Sequence, residues 1–297
     1  MTMTTAVQPN VVEVTRQTLS DPALTRRTPG EEFAWAVSRD RGTDDVTVPI
    51  QGYLPSAFPL FTTRPRYTVR HLLKVASVSD RDTAYVHEAI TGGRDTPGNT
   101  YDSTPESAFG SSVRSAELTD LYVDVAVPDG LLDEPALLAA FIDFRVLVRM
   151  GVVENESLLH GTADGRIEGL LSLTGLRTGP FGDDVSEALT MGAARVEDTG
   201  GSCDGIVAHP ALYWQLLRDG TLAKLNSVGV KVARTRMMPH GKALLGDFRA
   251  AVTLLDPNVS SITLRRKAGP NGEDMVRAHS RMGLAVHLPQ HFLLLSR

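Results

Sequence analysis

Three late histidines, His279, His287 and His291, are the first residues whose type and spacing could do chemistry. His287 and His291 are four apart, and on a helix that spacing lets two imidazoles share a metal ion. Pro289 lies between them and the flanking residues alternate as strands do, so no shared face is expected. Cys203 and His209 suggest a thiolate activated by an imidazole. The GIVA run between them, Gly205–Ala208, reads as a buried strand that would hold the two apart, and nothing orients the imidazole. The cysteine is expected to be a small buried hydrophobe. The run HGTADGRIEG, His160–Gly169, carries glycines like a phosphate cradle. It follows a helix instead of opening one, where the dipole repels anions, and it lacks the Lys-Ser/Thr of a P-loop. Asp183/Asp184 and Glu154/Glu156 fall where helix starts and helix faces need carboxylates. No basic stripe interleaved with aromatics is visible for stacking on bases. No catalytic residue, cofactor or metal is expected.

The composition is that of an ordinary globular chain: 297 residues, 42% hydrophobic and 22% charged, with a net charge of −5. It contains no block of like charges that would wrap nucleic acid electrostatically. No apolar run reaches the roughly 20 residues needed to span a bilayer, and the N-terminus has no basic-then-apolar secretory pattern. Cys203 is the only cysteine, which excludes an intrachain disulfide and suits a reducing cytoplasm. Only five residues are lysines, and none lies between Lys74 and Lys224.

The elements that would position any site follow from periodicity and punctuation. Residues 1–66 carry prolines too often for long regular elements and read as an arm. It holds one short helix over Glu31–Ser38, with Thr28 and Glu31 in capping-box positions. Its apolar content favours clamping against a neighbour. Tyr67–Val78 reads as a strand or short helix. A ribbon of roughly 40 residues follows, poor in large apolar side chains and unable to bury much surface of its own. Strands over Thr83–Ala89 and Ser112–Val127 flank its turn-rich tip. Leu132-Asp133-Glu134-Pro135 opens a helix that keeps apolar spacing to Leu159, a length of about 38 Å. His160-Gly161 ends it. Helices over Asp184–Val196 and Pro210–Arg218 flank the GIVA strand. Strands are expected near Val228–Thr235, Ala243–Leu254, Ser260–Lys267, Asp274–His287 and Phe292–Leu295. Strands concentrated late and helices segregated earlier define an α+β class.

The order of these pieces resembles the HK-97-type major capsid proteins of tailed phages and their relatives, the encapsulin nanocompartment shells. YVHEA at Tyr85 looks like the entry to the family's E-loop. LLDEPALLAAFIDFRVLVRMGVVENESLLHGTADGRIEGLL resembles its spine helix and the turn after it. GIVAHPALYWQLL from Gly205 and LLGDFRAAV from Leu244 are similar to the A-domain step and the strand returning to the P domain. MVRAHSRMGLAVHLPQHFLLL from Met275 resembles the closing R-x-G-x-x-V-x-x-P-x-x-F pattern. The resemblance runs from near Tyr67 to the final residue. It implies an N-terminal arm over 1–66, P-domain entry and E-loop over 67–127, a P domain with its spine over 128–183, an A domain over 184–245, and return strands over 246–297.

It also implies roles. Tyr85, Arg94, Tyr101, Phe109 and Arg114 of the E-loop would touch a neighbouring subunit, as would Tyr53, Phe58 and Phe61 of the arm. Met237, Met238 and His240 would line a pore. Some phage members weld E-loops to neighbours through a lysine isopeptide bond; this ribbon has no lysine, so that cross-link is not expected. Many also carry a long pro-segment before the arm, and the shorter stretch here favours an encapsulin-like shell. The expected protein is therefore a non-enzymatic homo-oligomer of roughly 60 copies or a multiple. It would close a cytoplasmic icosahedral nanocompartment around a cargo protein, with no membrane partner. The alternative is a phage or prophage capsid protein enclosing DNA in a virion. A remote third reading is an α+β enzyme.

Overall fold

The structure is a computed structural model that describes residues 27–40, 42, 44–51, 68–79, 81–90 and 109–297. Helix α1 (Pro29–Arg39) begins at the expected capping box, in which Thr28 accepts from the Glu31 amide and Glu31 accepts from the Thr28 amide. Strand β1 spans Val46–Gln51. Phe33, Val37, Val46 and Ile50 are all buried in the chain's own main core, so this part of the expected arm packs in cis.

The expected long helix is one rod in three parts: α2 (Pro135–Phe141), a π turn (Ile142–Val146) and α3 (Leu147–His160). Its inward side buries Leu138, Ile142, Val146, Leu147, Met150 and Leu158 completely. Each such side chain contributes about 1.5–3 kcal/mol relative to exposure. Gly161, at φ 84°, ends the rod as the sequence indicates. The π turn coincides with the docking of α1. Asp143 inside it is buried and accepts from the Gly30 amide at 2.8 Å. A Cβ on Gly30 would stand 2.2 Å from the Ala139 carbonyl oxygen, so only glycine allows this approach. Burial raises the Asp143 carboxyl above the ordinary range, against the hydrogen bonds from Thr28 and Gly30.

The remaining strands form two sheets and a separate hairpin. They are β2 (Lys74–Ser77), β3 (Thr83–Ile90), β4 (Phe109–Ala116), β5 (Leu118–Ala126), β6 (Arg177–Pro180), β7 (Gly205–Ala208), β8 (Lys231–Arg234), β9 (Lys242–Gly246), β10 (Val252–Asp256), β11 (Val259–Arg265), β12 (Met275–Val286) and β13 (Phe292–Ser296). In the first sheet β12 is the central strand. It pairs with β5 over Met275–Gly283, and on its other edge with β11 over Met275–Ser280 and then β10 over Gly283–Val286. Strands β1 and β2 add outside β11 and β10. The second sheet runs β6-β13-β9-β7-β8. Its period of two is divided between two cores. Val207, Leu244, Phe292 and Leu294 face the rod and first sheet. Ile206, Ala208, Leu245, Leu293 and Leu295 face α4 (Val185–Glu197), α5 (Pro210–Arg218) and α6 (Thr221–Ser227).

Three expected elements differ. The single strand over Ser112–Val127 is two, β4 and β5, interrupted at Glu117. The strand over Ala243–Leu254 is broken into β9, a single helical turn α7 (Phe248–Ala251) and β10. Asp247 caps α7 through the Ala250 amide, and Asp204 accepts from the Phe248 and Arg249 amides. The segment expected as a strand from Val228 forms one only over β8. Among the described residues no helix is long and apolar enough to cross a membrane.

Candidate intersubunit surface

The hairpin of β3 and β4 pairs only with itself among the described residues. Val86 lies opposite Val113, and Tyr85 opposite Arg114. Both valines are exposed, 50% and 78%, on a ribbon whose residues Ser111–Ser115 all face solvent. A two-stranded ribbon with no third strand among the described residues and with exposed β-branched residues invites further strand pairing and apolar cover.

Its root is fixed to the end of β12. His87 Nδ1 donates to the Val286 carbonyl at 2.8 Å, and His287 Nδ1 donates to the Val86 carbonyl at 2.9 Å. The Glu88 amide donates to the His287 carbonyl, and His287 Nε2 pairs with the Thr253 hydroxyl at 3.1 Å. Tyr85 stands edge-on to the His287 ring, centroids 5.4 Å apart. Two imidazoles thus cross-bond two backbones and pin β3 at Val86–Glu88 to the end of β12, while Val86 and Val113 stay exposed.

A second exposed apolar surface lies on the outer side of the rod. Leu137, Phe144 and Val148 follow helical spacing and are 59%, 49% and 40% exposed. Near the rod's end, His160 Nε2 donates to the Met237 carbonyl at 2.7 Å and ties down the loop between β8 and β9.

The site residues expected from sequence fall into three groups. Tyr85 and Arg114 are brought opposite each other on the hairpin, and of Phe109 only the backbone is described, paired with Ile90. Arg94 and Tyr101, and Tyr53, Phe58 and Phe61 of the arm, lie outside the described residues. Of the three pore candidates, His240 is exposed and Met237 partly so, but Met238 is fully buried in the main core and cannot line an aperture. Its side chain belongs to the same buried cluster as Leu158 and Leu159 of the rod.

The histidines and cysteine weighed for chemistry are accounted for structurally. His279 pairs with Asp120 at 2.9 Å, His287 serves the hairpin root, and His291 is buried beside Gly201. Burial, with the neighbouring Asp204 carboxylate, pushes the Cys203 thiol up to about 12, which leaves it inert near neutrality. Among the described residues no group of three or more His, Cys, Asp or Glu could hold a metal ion. Sequence reading missed a buried ion network in which Arg70 reaches Glu154 at 3.5 Å and Asp256 at 3.3 Å. Its members are separated by 84 and 186 residues, and only the absence of exposure at Glu154 reveals it.

No protein-family profile and no curated protein matches the chain. Solved structures do match. A virus-like particle from Pyrococcus furiosus aligns at TM-score 0.56 and 13% identity, over 82% of this chain and 97% of that one. The Microbacterium phage Oxtober96 structure aligns at 0.54 and 14%, over 86% and 95%. The capsid of an empty GTA particle aligns at 0.53 and 16%, over 78% and 89%. The chain therefore has the HK-97-type capsid fold, an α+β architecture.

Proposed function

We propose that the chain is a self-assembling shell subunit of an encapsulin-like icosahedral nanocompartment that encloses a cargo protein and has no catalytic activity of its own. The hairpin carries this reading. A ribbon with no third strand among the described residues, exposed Val86 and Val113, and a β3 edge pinned at Val86–Glu88 is suited to lie on a second copy of the chain and is poorly suited to isolation. The exposed stripe of Leu137, Phe144 and Val148 offers apolar surface for such cover. Many modest contacts repeated by symmetry would then stabilise a closed shell. The shell would sit in the cytoplasm. With no lysine between Lys74 and Lys224, the hairpin would hold by packing and strand pairing alone.

The second reading is a major capsid protein of a tailed phage or prophage that encloses DNA in a virion. It is supported by the fold likeness to a phage structure and to a GTA capsid. Size-exclusion chromatography with negative-stain microscopy tests shell formation, and a stable monomer or dimer under all conditions would sink both readings. The ratio of protein to nucleic acid in particles recovered from the native host separates them. Nuclease-protected DNA supports the phage capsid, and a co-purifying protein without DNA supports the nanocompartment.

A further inference from the structure

At one end of the second sheet, His209 and His240 stack with ring centroids 3.6 Å apart and planes tilted by 37°. They come from different elements: His209 directly precedes α5, and His240 lies on the loop between β8 and β9. His209 is also the N-cap of α5. Its Nδ1 accepts from the Ala211 amide at 3.1 Å, so the neutral ring carries its proton on Nε2. We propose that the His209–His240 stack is an acid-released latch that holds the tip of the β8–β9 loop against the first turn of α5.

Protonation acts twice at this position. A proton on His209 Nδ1 removes the side-chain acceptor that caps α5, and it places a positive charge at the positive end of the helix dipole. An imidazolium in contact with a second protonated imidazole adds like-charge repulsion at close range. Among the described residues, the charged and titratable side chains on the loop, on the strand ends it joins and on the residues bonded to its backbone are basic. They are His160 at the end of the rod, Arg234 closing β8, Arg236 and His240 on the loop, Lys242 opening β9, and Arg297, whose amide donates to the Gly241 carbonyl. The Arg234 guanidinium is already engaged over the Tyr213 and Trp214 rings, at 4.3 and 4.7 Å. Desolvation, then the neighbouring His240, hold His209 below the ordinary imidazole range, and no carboxylate acts on it. A lowered pKa in the folded state means that the latch is fully closed above the ordinary value of about 6.5. It weakens as pH falls through the folded value.

The release is local. Met238 remains buried in the main core, its amide bonded to the Thr235 carbonyl, and His160 retains the Met237 carbonyl because the donating Nε2 keeps its proton at low pH. Freedom is gained at Pro239, His240, Gly241 and the first turn of α5. The latch rests on the fold of one chain and not on shell formation.

Hydrogen exchange of the full-length protein, corrected for intrinsic rates, tests it at pH 7.5 and pH 5. Peptides covering His240–Gly241 and Ala211–Leu212 should exchange at least about fivefold faster at pH 5, while Met238 stays protected. His209→Asn keeps a capping side chain without a titrating ring and should abolish the pH dependence. His240→Gln removes the repulsion but leaves the cap and should move the midpoint of release upward. An unchanged pH response in both variants, or none in the parent, overturns the proposal.

Discussion

The β3–β4 hairpin and the five-stranded sheet are both built from strands, yet they face opposite environments. In the sheet every residue of β7 is buried, and side chains from one strand feed two cores in alternation. In the hairpin the cross-strand pair Val86 and Val113 faces solvent, and among the described residues the attachment to the rest of the chain lies at Val86–Glu88. A strand buried on both faces derives its stability from its own chain. A two-stranded ribbon with no third strand among the described residues keeps exposed apolar surface that a partner could cover.

Three substitutions separate these cases, in falling order of expected effect on the stability of the single chain. Phe292→Ala removes a fully buried ring that meets Phe248 edge-on at 5.1 Å between the rod and the second sheet. It should cost about 3–5 kcal/mol in chemical denaturation. Asp184→Ala removes the carboxylate that accepts from the Ser186 and Glu187 amides at the start of α4. A loss of about 1 kcal/mol is expected, read as a lower denaturation midpoint with unchanged slope. Val113→Asp places a charge on an exposed ribbon and should change the stability of the dissociated chain by less than about 0.5 kcal/mol. In size-exclusion chromatography it should nevertheless prevent large assemblies. If Val113→Asp assembles normally, the contrast between the two regions is not one of cis and trans burial.

Much of the fold was legible because its signals are local. The Thr28/Glu31 capping box, the acidic cap at Asp183/Asp184, which the structure resolves to Asp184, the GIVA strand and the glycine that closes the rod each need only neighbours in sequence. The misread elements depend on distant partners. Asp204 accepts the Phe248 and Arg249 amides at the start of α7 from 44 residues away, and the apolar run over residues 243–254 does not reveal that support. Helix α6 was missed because Gly220 begins it with no side-chain cap. The π turn answers to the approach of Gly30, 113 residues earlier. The candidate surface was half legible. A ribbon poor in core residues announces itself by composition, but the histidines that pin its root look like stray imidazoles until β12 is in place. Met238 shows the converse, a methionine whose neighbours suggest exposure and whose side chain fills the core.

The central position of β12 also sets an order of events. Strand β5 finds its partner about 160 residues further along, and the hairpin is pinned by the Val286 carbonyl and by the backbone and ring of His287. A chain extended only to residue 270 carries β3 and β4 but nothing to hold them at their working angle. The ribbon becomes a presentable surface only after its own first sheet is complete. On the proposed role, readiness to associate would be timed by folding, and half-made chains would be denied a properly aimed contact.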